Sequence, residues 1–178
     1  MGRQVALLRG INLGPRNRIA MPELREALGE AGYGEVRTYV QSGNLVLDSS
    51  DSPAALEAAL ERLISERFSL EIPVIARTRK ELAAVVKRNP LADVAEDPKR
   101  YQVSFLSDKL KPKQLDELNA IATGEERLVA HGRELYAWHP DGVGRSKLSA
   151  KLAGAGLGVK ATARNWKTVE TLLEMADQ

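Results

Sequence analysis

The chain has 178 residues, which suits one domain or two small half-domains, and its 43% of hydrophobic residues can fill a core. It has no cysteine, so disulfides, thiolate catalysis and zinc sites built on sulfur are excluded, and we expect a cytoplasmic location. No apolar run is long enough for a signal peptide or a membrane span, so we expect no membrane association.

The net charge is only +2, but the positive charge is concentrated in two segments. Residues 1–22 contain arginines and no acidic residue, and residues 142–169 contain lysines and arginines and again no acidic residue. Two interpretations remain open. Either the segments meet in space, where they would attract an anion, or they are solvated faces whose acidic partners come from the middle of the chain.

The first half of the sequence predicts four strands and three helices. Both faces of residues 3–9 are apolar, which indicates a strand that is covered on both sides. Proline at position 22, Ser52 followed by proline, and the capping box Thr78-Arg79-Lys80-Glu81 are typical of helix starts. The predicted strands are 3–9, 36–41, 44–48 and 72–77, with a tight turn at Ser42-Gly43, and the predicted helices are 22–31, 53–68 and the segment after 78.

Residues 89–99 contain two prolines and three acids, which predicts a connector, and the pattern then restarts. The sequence Gln102-Val103-Ser104-Phe105-Leu106 is similar to Gln4-Val5-Ala6-Leu7-Leu8. The predicted strands of this half are 101–106, 127–130, 134–139 and 159–163, and its predicted helices are 112–122, 145–153 with its end at Gly154, and 166–176 with Asn165 as its cap.

The order strand, helix, strand, strand, helix, strand therefore occurs twice, each time followed by a further helix. This βαββαβ order is typical of the ferredoxin-like unit. Ala76-Arg77-Thr78 also aligns with Ala163-Arg164-Asn165 at the corresponding strand-to-helix junctions. We predict an α/β (α+β) chain made by internal duplication, with two tandem ferredoxin-like half-domains that are packed together or share a sheet. Their predicted bounds are 1–88 and 100–178, with the connector at 89–99.

Four segments of the chain occur together, in this order, in one protein family. They are Leu8-Arg9-Gly10-Ile11-Asn12, Thr38-Tyr39-Val40-Gln41-Ser42-Gly43-Asn44, Gly142-Val143-Gly144-Arg145-Ser146-Lys147-Leu148 and Thr162-Ala163-Arg164-Asn165-Trp166-Lys167-Thr168. Over nearly the whole chain they resemble the bacterial family known as domain of unknown function 1697. Pro15 departs from the pattern, which would have a second glycine there. The resemblance implies an α/β fold of two related halves, and it implies no activity.

The loop after the first strand is the first candidate for ligand binding. It combines glycines, asparagines and arginines without an acid, and Arg9 there can make a bidentate contact to a phosphate or a carboxylate. Asn12 and Asn17 offer amides beside it. The alternative is that Arg9 bridges the halves through an internal carboxylate while Asn12 bonds the loop backbone. Ser42 and Asn44 are interpreted first as hairpin residues, with ligand binding as their alternative.

The stretch Gly142-Val143-Gly144-Arg145-Ser146-Lys147 is the most phosphate-like in the chain, because its glycines allow close approach and a helix begins there. It lacks the spacing of a Walker loop. The alternative is an ordinary helix start that Ser146 caps. Arg164 is a further candidate anion donor and Asn165 a candidate cap or ligand residue, whereas Trp166 is interpreted as a packing residue.

The sequence contains little evidence for a catalytic site, a metal site or nucleic-acid binding. His131 and His139 do not have a metal-ligand spacing, so no metal is expected, and no Gly-x-Ser-x-Gly elbow occurs. RNA-recognition sheets need aromatic residues on their central strands. The aromatic residues on the predicted strands of the second half are interpreted as core instead. The sequence leaves open whether the protein is an enzyme and which cofactor it uses.

We therefore expect a protein that binds a phosphorylated or otherwise anionic small molecule between its two halves. A structural or oligomerisation module without a ligand is the first alternative, and a weak nucleic-acid binder is the second. The candidate ligand residues are Arg9, Asn12, Asn17, Ser42, Asn44, Arg145, Ser146, Lys147, Arg164 and Asn165.

Overall fold

The computed structural model describes residues 2–153 and 156–178. In these ranges the chain is a mixed α/β structure with two four-stranded antiparallel sheets and six α-helices. It divides into two compact units, one made of the residues up to Ala83 together with Leu172–Gln178, and the other made of Ala84–Thr171. None of the helices in the described ranges combines the length and the apolarity that crossing a membrane requires.

The first sheet has the strand order β2-β3-β1-β4. Every neighbouring pair in it is antiparallel, with β1 in contact with both β3 and β4. The elements in chain order are β1 (Gly2–Leu8), α1 (Met21–Glu30), β2 (Gly34–Tyr39), β3 (Asn44–Ser49), α2 (Pro53–Phe68), β4 (Val74–Thr78) and α3 (Arg79–Arg88).

Helix α2 shows why the predicted helices of this unit form. Ser52 lies at the N-cap, where its Oγ accepts a hydrogen bond from the Ala55 N–H at 3.2 Å, and Pro53 has the fixed φ of a first helical turn. Leu56, Leu60 and Ile64 recur every four residues, so they lie on one buried face. Burial of each such side chain stabilises the fold by about 1.5–3 kcal/mol.

The core of the first unit lies on the face of the sheet that carries Ala6 and Leu8, whose neighbours across the strands are also apolar. Both helices α1 and α2 contribute buried residues to it. The predicted capping box at α3 is confirmed. The Thr78 N–H donates to the Glu81 carboxylate at 2.8 Å, and the Glu81 N–H donates to Thr78 Oγ1 at 3.1 Å.

The second sheet has the strand order β6-β7-β5-β8. Its own core contains Leu106 and Leu135 from the strands with Leu118, Leu148 and Leu152 from the helices. The elements in chain order are β5 (Tyr101–Leu106), α4 (Pro112–Ile121), β6 (Arg127–His131), β7 (Glu134–Trp138), a 3-10 turn (Val143–Arg145), α5 (Lys147–Ala153), β8 (Ala161–Asn165) and α6 (Trp166–Ala176).

The strands predicted at 36–41 and 72–77 are Gly34–Tyr39 and Val74–Thr78 in the structure, and three further predictions differ. The predicted helix 145–153 is divided, because Ser146 is extended (φ −90°, ψ 122°) between the 3-10 turn and α5. The predicted strand 159–163 lies two residues later, because its pairing with β5 continues to Asn165 opposite Gln102. A sheet shared by the two halves, one of the two arrangements predicted, is wrong, because each sheet belongs to one unit. The predicted helix end at Gly154 lies outside the described residues. The bounds 1–88 and 100–178 for the two halves, with the connector at 89–99, stay a prediction.

Candidate functional site

The loop between β1 and α1, residues 9–20, contains no helix or strand, yet both of its ends are fixed. The Leu8 N–H donates to the Gly43 carbonyl at 2.8 Å, and the Arg9 N–H donates to the Pro73 carbonyl at 3.0 Å. Ile11 and Ile19 are buried in the core of the first unit. The loop is therefore a fixed part of this unit, with an exposed polar segment between two buried isoleucines.

Asn12 holds this loop together with its amide group. Its Nδ2 donates to the Ile19 carbonyl at 2.8 Å and to the Gln41 carbonyl at 2.7 Å, while its Oδ1 accepts from the Ile19 N–H at 2.9 Å. Its own N–H donates to the Asn17 carbonyl at 3.0 Å. Both side-chain N–H groups of Asn12 are thus used within the protein, as in the predicted alternative where this residue bonds the loop backbone.

The turn between β2 and β3 meets this loop and is built from special backbone conformations. Asn44 Nδ2 donates to the Tyr39 carbonyl at 3.1 Å and to Ser42 Oγ at 3.0 Å, which is the hairpin role predicted for these side chains. Gly43 has φ +82°, and a Cβ there would lie 2.7 Å from Leu8 Cβ, so only glycine fits. Val40 also has a positive φ, +52°, which is unfavourable for a β-branched residue.

A cavity of about 470 Å³ opens beside these two segments, and it is lined by Asn12, Arg18, Ile19, Ala20 and Gln41. One N–H of Arg18 donates to the Gly14 carbonyl at 3.2 Å, which leaves the remaining donors of its guanidinium for other partners. Arg16 is exposed and forms no ion pair with any residue that the structure describes.

The start of helix α1 adds a positive potential to this cavity. Ala20 is the N-cap, and an alanine side chain cannot accept a hydrogen bond from the first-turn amides. The positive end of the helix dipole therefore lies at the cavity wall. Glu23 in the first turn is the first carboxylate after the loop, and it offsets part of this potential. The cavity offers hydrogen-bond donors and positive charge, which is the chemistry that an anion needs.

Among the predicted site residues of the first unit, the structure brings Asn12, Asn17, Ser42 and Asn44 into the loop and the adjoining turn. Of these, Asn12 lines the cavity. The Arg9 side chain is partly buried, and its role as a ligand residue stays a prediction. The other four lining residues were missed, and two of them, Arg18 and Gln41, have polar side chains. The sequence features that could have indicated them are the acid-free segment around Arg18 and the position of Gln41 next to Ser42.

In the second unit, the phosphate-like stretch has a different environment. Arg145 and Lys147 are exposed. Ser146 Oγ donates to the Glu126 carboxylate at 2.5 Å and accepts from the Ser149 N–H at 3.0 Å. Ser146 therefore caps α5, which was the alternative to ligand binding, and helix α5 has only seven residues. Ligand contact by Arg145, Ser146 and Lys147 stays a prediction.

Glu126 is a residue that sequence reasoning did not select. Its carboxylate accepts a hydrogen bond from the Thr123 N–H at 3.1 Å and lies 2.7 Å from Nδ1 of His139, whose side chain is fully buried. Burial by itself would raise the pKa of Glu126, but hydrogen bonds from His139, Ser146 and the Thr123 amide outweigh it and hold the pKa below its usual value. Glu126 and His139 are 13 residues apart in the sequence, so no local motif indicates that their side chains form a pair.

Arg164 and Asn165 lie where β8 leads into α6. Asn165 Oδ1 accepts from the Thr168 N–H at 2.9 Å, which makes it the predicted cap. Arg164 Nη1 donates to Thr162 Oγ1 at 2.6 Å and to the Ala163 carbonyl at 2.9 Å. Burial lowers the pKa of Arg164 to about 10, so it is still charged at neutral pH. Ligand binding by either residue stays a prediction.

The aromatic residues of the second unit are core residues, as interpreted from the sequence. Trp166 stacks on Tyr101 with ring centroids 4.8 Å apart, and Tyr136 lies against both rings. Phe105 and Trp138 are buried as well. In the described ranges, no three histidine, aspartate and glutamate side chains group closely enough to hold a metal ion.

The sequence model of a family described as "Protein of unknown function (DUF1697)" matches residues 1–136, which is more than half of the chain. The chain belongs to the DUF1697 family. The resemblance drawn from four segments is thereby confirmed, although two of them, residues 142–148 and 162–168, lie beyond the matched range. No curated protein matches this DUF1697 chain.

Among solved structures, the DUF1697 chain is similar to the conserved bacterial protein SP0830 from Streptococcus pneumoniae. The two share 24% sequence identity, the alignment covers 98% of each chain, and the TM-score is 0.79. At this identity the likeness concerns the fold alone. It includes the residues that follow position 136.

Proposed function

We propose that this DUF1697 protein binds a phosphorylated or otherwise anionic small molecule in the cavity lined by Asn12, Arg18, Ile19, Ala20 and Gln41. One observation carries the proposal: a cavity of about 470 Å³ opens in a segment that has arginines and no acidic residue. This volume lies within the range of about 300–1,000 Å³ that small-molecule sites occupy.

Typical interaction energies indicate that an arginine contributes more to anion binding than the helix dipole does. The helix dipole at Ala20 contributes only about 0.3–1 kcal/mol to the binding of an anion. A hydrogen bond to a charged group contributes about 1.5–3 kcal/mol, and a guanidinium makes two of them in parallel to a phosphate or a carboxylate. Arg18 lines the cavity, so it is the residue expected to bind the anionic group, with Arg16 raising the local potential.

The test compares two arginines of the same unit. Arg18→Gln should weaken the binding of inorganic phosphate about tenfold at low ionic strength, because it removes one bidentate donor. Arg62→Gln is the matched control, since Arg62 is also exposed and its loss changes the net charge equally. Isothermal titration calorimetry measures both. Equal affinities of the two variants would contradict the proposal.

One observation favours the alternative of a structural module without a ligand. Asn12, Asn44, Ser146 and Asn165 all direct side-chain hydrogen bonds to groups of the protein. If no anion binds to the wild-type chain, these motifs only hold the fold together. Titration of the wild-type protein with inorganic phosphate therefore distinguishes an anion-binding protein from a structural module without a ligand.

We also propose that each unit contains a ferredoxin-like half and that the halves arose by duplication. Corresponding contacts support this proposal. Val5 lies opposite Arg77 in the first sheet, and Val103 lies opposite Arg164 in the second. Arg77 Nη1 donates to the carbonyl of the preceding alanine at 3.0 Å, and Arg164 does the same at 2.9 Å. The strand order is also the same in both sheets.

A further inference from the structure

A second cavity of the first unit lies at the end of its sheet, where β1 begins and where β3 and β4 end. Its volume is about 550 Å³, which is also in the range of small-molecule sites. The described residues that line it all belong to the first unit, and none of them lines the cavity beside residues 9–20. They include Arg3 and Gln4 in β1, Asp51 after β3, and Arg79 and Lys80 at the start of α3.

Gln4 is a buried polar residue in the wall of this second cavity, with only 2% of its surface exposed. Its Nε2 donates to the Asp51 carbonyl at 2.7 Å, which fixes the orientation of the side-chain amide, because the reverse orientation would bring two oxygens together. The buried Oε1 of Gln4 then accepts no hydrogen bond from any residue that the structure describes. A buried acceptor without a donor is unfavourable, so a donor from a bound molecule would stabilise this wall.

The corresponding glutamine of the second unit has a different environment. Gln4 lies opposite Thr78, the cap of α3, and Gln102 lies opposite Asn165, the cap of α6. The Oε1 of Gln102 accepts from Ser149 Oγ at 3.2 Å. This position in the sheet therefore does not require an oxygen without a donor. In the second unit the protein supplies the donor, and in the first unit the oxygen lies in the wall of a cavity.

The charges that line this cavity have both signs. Arg3 and Arg79 are each held in an ion pair by an aspartate outside the lining. Lys80 and Asp51 are exposed lining residues, and neither forms an ion pair in the described part of the chain. A simple anion would lie near the Asp51 carboxylate and would leave the Gln4 oxygen without a donor. A simple cation would be repelled by Lys80, whereas a molecule with both charges satisfies all three groups.

We infer that this second cavity binds a free amino acid, whose ammonium group donates to Gln4 Oε1 and pairs with Asp51 while its carboxylate pairs with Lys80. The positions of the three residues suit one small molecule. The Gln4 amide reaches the Asp51 backbone, and Thr78 lies opposite Gln4 on the neighbouring strand, about 4.8 Å away. Lys80 follows Thr78 by two residues.

The experiment titrates the ¹⁵N-labelled full chain with each of the common L-amino acids. At least one of them should shift the amide resonances of Gln4, Asp51 and Lys80 with one common dissociation constant. The tightest binder is then compared with its Nα-acetyl derivative, which lacks the ammonium group, and with its α-carboxamide, which lacks the carboxylate. Each derivative should bind about tenfold more weakly, because each has lost one of the two charged contacts.

Variants then assign each contact. Gln4→Leu should weaken the binding of the amino acid about tenfold, whereas Gln102→Leu, at the corresponding position of the second unit, should not. Lys80→Gln should weaken the amino acid but not its α-carboxamide, and Lys87→Gln is the control at another exposed position of α3. Asp51→Asn should weaken the amino acid but not its Nα-acetyl derivative. Lys80 and Asp51 are exposed, so these two variants test the site even if Gln4→Leu does not fold.

Three results would overturn the inference. The first is that no amino acid shifts the three amide resonances at millimolar concentration. The second is that the tightest amino acid and its two derivatives bind equally well. The third is that Lys80→Gln and Asp51→Asn both bind the amino acid as the wild type does. The proposed function is tested separately, because Arg18→Gln should weaken the binding of phosphate and leave the binding of the amino acid unchanged.

Discussion

The loop of residues 9–20 and the segment 142–147 both combine glycine with basic residues, and neither contains an acid. In the loop, the side chain of Asn12 bonds carbonyl groups, and Arg18 faces a cavity. In the segment, Ser146 donates to Glu126, a carboxylate that comes from outside the segment and also holds His139. An acid-free stretch of sequence therefore does not imply an acid-free environment in the folded chain.

The same difference bears on where an anion binds. Near residues 142–147, the charge of Glu126 opposes that of Arg145 and Lys147, and its lowered pKa keeps it ionised at neutral pH. In the loop, Glu23 is the first carboxylate in sequence, and Arg16 and Arg18 form no ion pair with a described residue. We therefore expect the loop to bind anions more tightly than the segment.

Removing Glu126 should have the largest effect on stability. Glu126→Ala takes away the acceptor of His139, Ser146 and the Thr123 amide, and it should lower the free energy of unfolding by about 3–5 kcal/mol. Glu125→Ala is the control, because Glu125 is the exposed neighbour. Urea unfolding measures both. A loss below about 1 kcal/mol for Glu126→Ala would show that the carboxylate does not hold this segment.

In the first unit, the most sensitive position should be Gly43 in the turn between β2 and β3, which contacts the end of β1. Gly43→Ala should lower the free energy of unfolding by about 2–3 kcal/mol, because the new Cβ meets Leu8 and Ile11 at a positive φ. Gly14→Ala in the loop of residues 9–20, where a Cβ meets open space, should change the free energy of unfolding by less than about 0.5 kcal/mol. Similar values for both variants would mean that the close contact of Gly43 with β1 is not needed.

A smaller effect concerns pH. Because the pKa of Glu126 is lower in the folded state than its ordinary value, its ionised form stabilises the fold above the unfolded pKa of about 4.3, and this contribution is lost as the pH falls through the folded pKa. The stability difference between the wild type and Glu126→Gln should therefore shrink from pH 6 to pH 3. Urea unfolding at each pH measures it, and a constant difference would contradict this account.

Local sequence signals predicted the parts of the fold that depend on neighbouring residues. Ser52 and the capping box at Thr78 mark real helix starts, and Ser42 with Asn44 forms the hairpin turn. The strand β8 lies later than predicted because its register depends on its pairing with β5. Periodicity within one segment does not contain that information.

The candidate site was predicted less completely, for the same physical reason. Arg18 and Gln41 line the same cavity although they belong to segments that are distant in sequence. The two segments meet where the Asn12 amide donates to the Gln41 carbonyl. Val40 is β-branched, so nothing in the sequence predicts its left-handed backbone. Glu126 and His139 are recognisable only as a pair in space.

We expect the loop of residues 9–20, and not residues 142–147, to hold the anion. Titration of the ¹⁵N-labelled protein with inorganic phosphate tests it most directly, because backbone amide resonances report the position of the bound ion. We expect the amide resonances of the cavity residues to shift with one common dissociation constant; these are Asn12, Arg18, Ile19, Ala20 and Gln41. Shifts confined to residues 142–147, or no shifts at millimolar phosphate, would contradict it.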